Sequence, residues 1–225
     1  MPDANPRKGD VYILRCIDAK SKLRIASHLT KTRWIKDVVA LLKKVKRRLK
    51  HERVLFTSDK LRGYTTAITQ VFGVTLNKNE TVFPRGFLYA QIDKERVGGH
   101  LKAVDRKVAV GTMKKLKARL KRDKLSLVIN TSYVERDNLS VRQHNGRLIR
   151  KTLSYSKLWS MHKYAMDFED AVHNFVRPHF SLREPIPEPD GRRKWRQRTP
   201  AMAAGITDHI WSIEELAQYR LPSRN

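Results

Sequence analysis

Between Val11 and Phe72 the apolar residues switch repeatedly between strand and helix spacing, and that alternation restricts the chain to a mixed α/β fold. Val11 to Ile17 (VYILRCI) and Lys22 to Leu29 (KLRIASHL) are rich in β-formers, and the short polar link Asp18 to Ser21 between them predicts an antiparallel hairpin. Helical spacing takes over from Arg33 to Lys50. Trp34, Val38, Leu41, Leu42, Val45 and Leu49 mark one side, and Lys43, Lys44, Lys46, Arg47, Arg48 and Lys50 line much of the rest. Arg53 to Ser58 (RVLFTS) reads as a short buried strand that stops at Asp59, before a second amphipathic stretch, LRGYTTAITQVF. An acid at the carboxyl end of a strand faces the crevice where open α/β sheets bind ligands, although Asp59 also suits a helix N-cap.

Beyond Gly73 the pattern becomes β again. Phe87 to Asp93 and Leu101 to Val110 flank Gly98 and Gly99, a pair suited to a hairpin turn, and the region of about 74–111 reads as an insertion between core elements. Lys114 to Lys124 follows as a basic helix with Met113, Leu116 and Leu120 at helical spacing. The apolar run LSLVI then leads into NTSYVERDNLSVRQHN, where Asn130, Thr131 and Ser132 each suit a helix start. Glu135, three residues past Ser132, fits a capping box, but it is also the acid that shares a helix face with Asn138, Leu139 and Arg142. Such an acid in a basic, amide-rich setting suits a metal ligand or catalytic group as well as a cap.

From Tyr155 to Val176 a longer helix is expected, its apolar face of Leu158, Met161, Tyr164, Ala165, Phe168, Val172 and Phe175 packing on the sheet. Pro178, Pro185, Pro187 and Pro189 end helical structure, and with Gly191 to Arg198 they form a basic arm. A short last helix has Ser212 as cap and Glu215 as capping-box acid. The domain reading is a core over 10–177 and an arm with a C-terminal helix over 178–225.

Forty-eight Lys and Arg against 22 Asp and Glu leave +26, far more than solubility requires, which predicts a polyanionic partner, nucleic acid before an acidic membrane surface. No apolar segment approaches the ~20 residues needed to span a bilayer, and the N-terminus has no apolar signal core, so a cytoplasmic, nucleoid-associated protein is expected. Cys16, the only cysteine, excludes an internal disulfide and a cysteine-rich zinc cluster, and reads as a small core residue. His144, His173 and His179 have no cysteine partner for zinc.

Five blocks, LFTSDKLRGY, FLYAQIDKERVGG, INTSYVERDNLSVRQHNGRLIRKTLSYSK, HNFVRPHFSLR and RTPAMAAGITDHIWSIEEL, come in an order that resembles insertion-sequence transposases of the IS-one type. The likeness runs over most of residues 10 to 220 and implies a DDE enzyme with an RNase H-like mixed sheet flanked by helices. It further implies divalent-metal-dependent cutting and joining of DNA at element ends and target, with magnesium or manganese held by carboxylates. Asp59 in TSD matches the family's second acid and Glu135 in YVER its third, so both are expected to be catalytic metal ligands. Arg136, Arg142, Arg147, Arg150 and Lys151 are expected to hold DNA phosphates.

The family's first acid lies on a strand upstream of the one VYILRCI resembles. MPDANPRKGD has two prolines and no apolar alternation, so it does not read as that strand, and the first acid is expected from Asp18 or from a segment not present here. A truncated catalytic portion is therefore expected, with low stability or an open sheet edge. Two functions follow: a DNA transposase fragment, or an inactive DNA-binding remnant that associates with itself or with full-length transposase. A ribosomal or chromatin-like basic protein is the more distant rival.

Overall fold

The computed structural model describes residues 11–61, 63–77, 80–126, 128–149, 153–187 and 194–220. Within them two compact units are distinguished, one of residues 11–16 and 25–137, the other of 17–24 and 138–220. The fold is mixed α/β, as the alternating periods predict.

The first unit is organised by the strands β1 (Tyr12–Ile17) and β2 (Arg24–Thr30), the helix α1 (Ile35–Lys46), the strand β3 (Leu55–Asp59) and the helix α2 (Tyr64–Phe72). A small ribbon, β4 (Val74–Asn77) with β5 (Glu80–Val82), comes next, then β6 (Leu88–Val97), β7 (His100–Val110) and α3 (Met113–Arg122). The main sheet has the order β3-β6-β7, with β1 and β2 paired as a separate ribbon. β3 is thus an edge strand among the described residues. It runs parallel to β6 in a register from Leu55↔Leu88 to Asp59↔Ile92, the crossover being made by α2 and the β4–β5 ribbon.

β6 and β7 are antiparallel and turn through Gly98 and Gly99, at φ 57° and 85°, with Val97 opposite His100. Two consecutive left-handed residues in a two-residue loop make the twist-matched hairpin turn that glycine favours. Within the region of about 74–111, read from the sequence as an insertion, β6 is the central strand of the main sheet and β7 its other edge among the described residues. Local β pattern cannot distinguish an appended hairpin from sheet strands, because the distinction lies in pairing with β3.

Alternation along β6 sends Tyr89 to one face and Ala90 and Ile92 to the other. On the first face Val38, Leu41, Leu42 and Val45 of α1 and Ala67, Ile68, Val71 and Phe72 of α2 form a core with Tyr89, Phe87, Leu14 and Ala26. Phe72 and Phe87 pack with ring centroids 5.0 Å apart, beside Phe56 and Phe83. Cys16 packs against this core. On the opposite face Leu116 and Leu120 of α3 bury Ala90, Ile92 and Ile129. α1 is fixed at its start by Asp37, whose carboxylate accepts the Trp34 N–H at 3.0 Å and the Thr32 hydroxyl.

α4 (Ser132–His144) continues into the second unit, which also holds α5 (Trp159–Ala171), β8 (Glu184–Pro185), β9 (Trp195–Arg196), α6 (Pro200–Ala203) and α7 (Ile213–Gln218). α5 ends in a π turn, Val172–Val176. Ser212 accepts the Glu215 N–H at 3.0 Å, the cap read from the sequence. The apolar stripe of α5 departs from expectation. Leu158, Met161, Tyr164 and Phe168 are exposed, and the buried side is Met166, Glu169 and His173. The guanidinium of Arg24 explains the orientation: it is buried against Glu169 at 3.4 Å and Asp170 at 3.3 Å. Asn174 adds a two-way bond to the Arg24 backbone, at 2.9 and 3.1 Å, and the His173 ring meets the Lys22 carbonyl at 3.1 Å. No described helix is long and apolar enough to cross a membrane. The reading of 1–10 as unable to form a strand falls outside the described residues.

Candidate active site

Asp59 is the last residue of β3, level with Ile92 of β6. Residues two apart along a strand share a face, so Ile92 and Lys94 belong to the α3 face of the sheet, while the charge of Asp59, at the end of the edge strand, acts on Tyr64 and Tyr89 of the α1–α2 side. Lys94 lies roughly 8 Å from Asp59 between Cα positions, from one strand spacing and two residues of rise. Its ammonium bonds to the carboxylate of Glu135. Asp59 thus ends the edge strand near the stretch of the central strand from which Lys94 reaches Glu135.

The start of α4 sets the other half of the site. Ile129 is buried under α3, and its carbonyl accepts from Arg106 of β7 at 2.9 Å, which ties the approach to α4 to the sheet. Asn130 then accepts the Ser132 N–H at 3.2 Å. Thr131, buried just before the helix, receives the Glu135 N–H on its carbonyl at 3.1 Å and donates its hydroxyl to Oε1 of Glu135 at 2.6 Å. The partner of the Glu135 carboxylate at this start is thus the Thr131 hydroxyl. Two positions on, Asp137 faces inward. Its Oδ2 meets Arg15 of β1 at 3.2 Å, while Arg15 also donates to Ser27 of β2 at 3.0 Å. That buried pair holds the first part of α4 to the β1–β2 ribbon.

Around Asp59 the Leu61 N–H donates to Oδ1 at 3.3 Å. Burial, with the charge of Asp59 nearby, pushes the Tyr64 phenol well above its ordinary range. Tyr89 is raised too, chiefly by burial, against hydrogen bonds that include Ser58 at 2.9 Å. Lys60 bonds Asp93, which stands opposite Asp105 across β6 and β7.

Asp18 has a different task. Its carboxylate accepts the Ser21 N–H at 2.7 Å and the Ser21 hydroxyl, closing the β1–β2 turn. The described residues contain no group of three or more His, Cys, Asp or Glu side chains able to hold a metal ion. Asp59 and Glu135 are hard oxygen donors, and magnesium is commonly held by one or two carboxylates with water and phosphate completing its shell. A bridged pair of ions needs a further acid.

Of the expected phosphate contacts, Arg136 and Arg142 are exposed on α4. Arg147 is exposed in the turn Gly146–Leu148 and donates to Ser156 at 3.1 Å. Arg150 and Lys151 lie outside the described residues. Thr131 is among the helix-start residues read from the sequence, whereas Lys94 is not singled out there. Lys94 was findable, because it continues the Ala90, Ile92 alternation as a charged residue on a face that otherwise buries apolar ones. Comparisons with protein-family models, with curated proteins and with solved structures give no match for this chain.

Proposed function

We propose that this chain is a DNA-binding protein of the insertion-sequence transposase kind, with Asp59 and Glu135 as the acids of a phosphodiester-cleaving and strand-transfer site used in DNA transposition. What supports this most is that Asp59 ends β3 level with Ile92 of β6 while Lys94, two residues further along β6, bonds Glu135. The charge of +26 supports a nucleic-acid partner, with Arg136, Arg142 and Arg147 among the exposed cations that would meet phosphates. A magnesium or manganese ion held by Asp59 and Glu135 would polarise a phosphodiester and stabilise a leaving oxygen. Lys94 and the Thr131 hydroxyl both bond the Glu135 carboxylate and hold it in place.

The test is DNA nicking and strand transfer with magnesium or manganese. Glu135→Gln and Asp59→Asn should each lower product formation by more than the ~10–100-fold seen for residues one shell removed from a metal, with DNA affinity within about two-fold of the parent. A second reading, a DNA-binding remnant without catalysis, is favoured by the Lys94–Glu135 ion pair and by the pair of acids standing one short of a two-ion set. It predicts salt-dependent DNA binding, no product with either metal, and no effect of Glu135→Gln.

A further inference from the structure

The start of α1 carries a second surface that the acid pair does not use. Trp34, the residue before α1, is 66% exposed, and Ile35 beside it is also exposed. Together with Arg33, Lys36 and Gly63 they line an open pocket of about 500 Å³. Gly63 is essential to its shape. It has φ +101°, and a Cβ there would lie 2.8 Å from Cγ1 of Ile35, so only glycine lets the start of α2 approach this closely. Gly63 follows Asp59 by four residues, which puts the pocket on the chain segment that leaves the candidate active site.

The side chains around the indole define what can cover it. Lys36 Nζ stands 5.2 Å from the Trp34 ring centroid, and the Arg33 guanidinium stacks 4.7 Å from the ring of Tyr12. Among the described residues the pocket lining holds two cations, an indole, an isoleucine and Gly63, and no carboxylate. A matching partner needs flat apolar faces together with anions. An unpaired stretch of DNA has both, whereas duplex DNA keeps its base faces stacked inside and offers this pocket only phosphates.

We infer that the Arg33, Trp34, Lys36 pocket binds an unpaired nucleotide, its base stacked on Trp34 and the flanking phosphates met by Arg33 and Lys36. The inference rests on the DNA-binding reading above and narrows it: single-stranded DNA, such as a frayed or cut end, is held here beside the segment that follows Asp59. Nothing in it requires the acids to be catalytic.

Equilibrium binding of the full chain to a labelled single-stranded oligonucleotide, to the same sequence as duplex, and to phosphatidylserine vesicles tests it. Trp34→Ala should weaken single-strand binding by about 10-fold and duplex binding by less than about two-fold, and Trp34→Phe should retain most of the affinity. Arg33→Ala and Lys36→Ala should each flatten the single-strand salt dependence by about 0.7 in log–log slope. Equal losses on single strand and duplex, or no loss with Trp34→Ala, overturn the pocket while leaving the DNA reading intact. Failure of the parent protein to bind either form of DNA overturns both. Trp34-dependent binding to vesicles and not to the oligonucleotide overturns it by assigning the indole to a membrane surface.

Discussion

α3 and α5 carry the same kind of apolar signal and are set into the molecule in opposite ways. In α3 the residues at helical spacing, Leu116 and Leu120, are buried against Ala90, Ile92 and Ile129 of the first unit. In α5 the apolar stripe lies outside, and the helix buries Met166, Glu169 and His173 instead. The difference is a buried cation. Arg24 has no exposed side-chain surface, and a buried guanidinium without carboxylate partners costs several kcal/mol, more than a few half-exposed apolar side chains lose to water at ~25 cal/mol per Å². Periodicity therefore predicts that a helix forms; where a buried charge must be matched, the polar partner decides which side faces in.

Removing that partner gives the largest expected effect. Glu169→Ala removes one of the carboxylates that meet Arg24 and also strips Arg177, which bonds Glu169 at 3.2 Å. Loss of one member of a buried ion pair typically costs about 3–5 kcal/mol. Urea unfolding followed by tryptophan fluorescence, with Trp211 packed 4.7 Å from Phe175 as a reporter of the second unit, should show a loss of this size. A change below about 1 kcal/mol, the level of an exposed pair, would remove the charge-matching explanation for the setting of α5.

A smaller and more discriminating contrast compares one apolar residue from each helix. Leu116 is 0% exposed and Phe168 53% exposed. Leu116→Ala should destabilise by about 2–5 kcal/mol, the range for truncating a buried leucine. Phe168→Ala should stay within about 0.5 kcal/mol, as an exposed site does. Equal costs in the two variants would mean that the α5 stripe is covered after all, and that its periodicity should have been read as core.

These two helices also show what the sequence could disclose. The strand ending at Asp59, the Gly98–Gly99 turn and the Ser212 cap follow from short-range chemistry, and each could be read locally. The parallel pairing of β3 with β6 joins residues more than 30 positions apart, with no local mark. In the site, Glu135 stood out as an acid among cations, yet Asp137, which makes the buried bond to Arg15, lies two residues away. At 3.6 residues per turn, positions two apart face roughly opposite ways, so one of the two acids had to point inward once the other pointed out. What the spacing cannot say is which one. Arg15 decides that, and its partnership across more than 120 residues is a tertiary fact.

The smallest effect tests whether a polar anchor also governs a helix whose apolar side is buried as its pattern predicts. Asp37 holds the start of α1 through the Trp34 N–H and the Thr32 hydroxyl. Burial alone would raise its carboxyl, but the hydrogen bonds from Thr32, Thr30 and Trp34 outweigh that and leave it below the ordinary 3.8. A carboxylate with a depressed folded-state pKa stabilises the fold at every pH above its unfolded value, and that contribution fades as pH falls from 3.8 through the lower folded value. Asp37→Asn should therefore cost about 1 kcal/mol at neutral pH, and its stability curve should converge on the parent's under acid conditions. Curves that stay parallel down through that window would show that α1 is set by its apolar side alone, in contrast to α5. Convergence would show that both helices obey one rule, and that α3 differs only in having no buried charge to match.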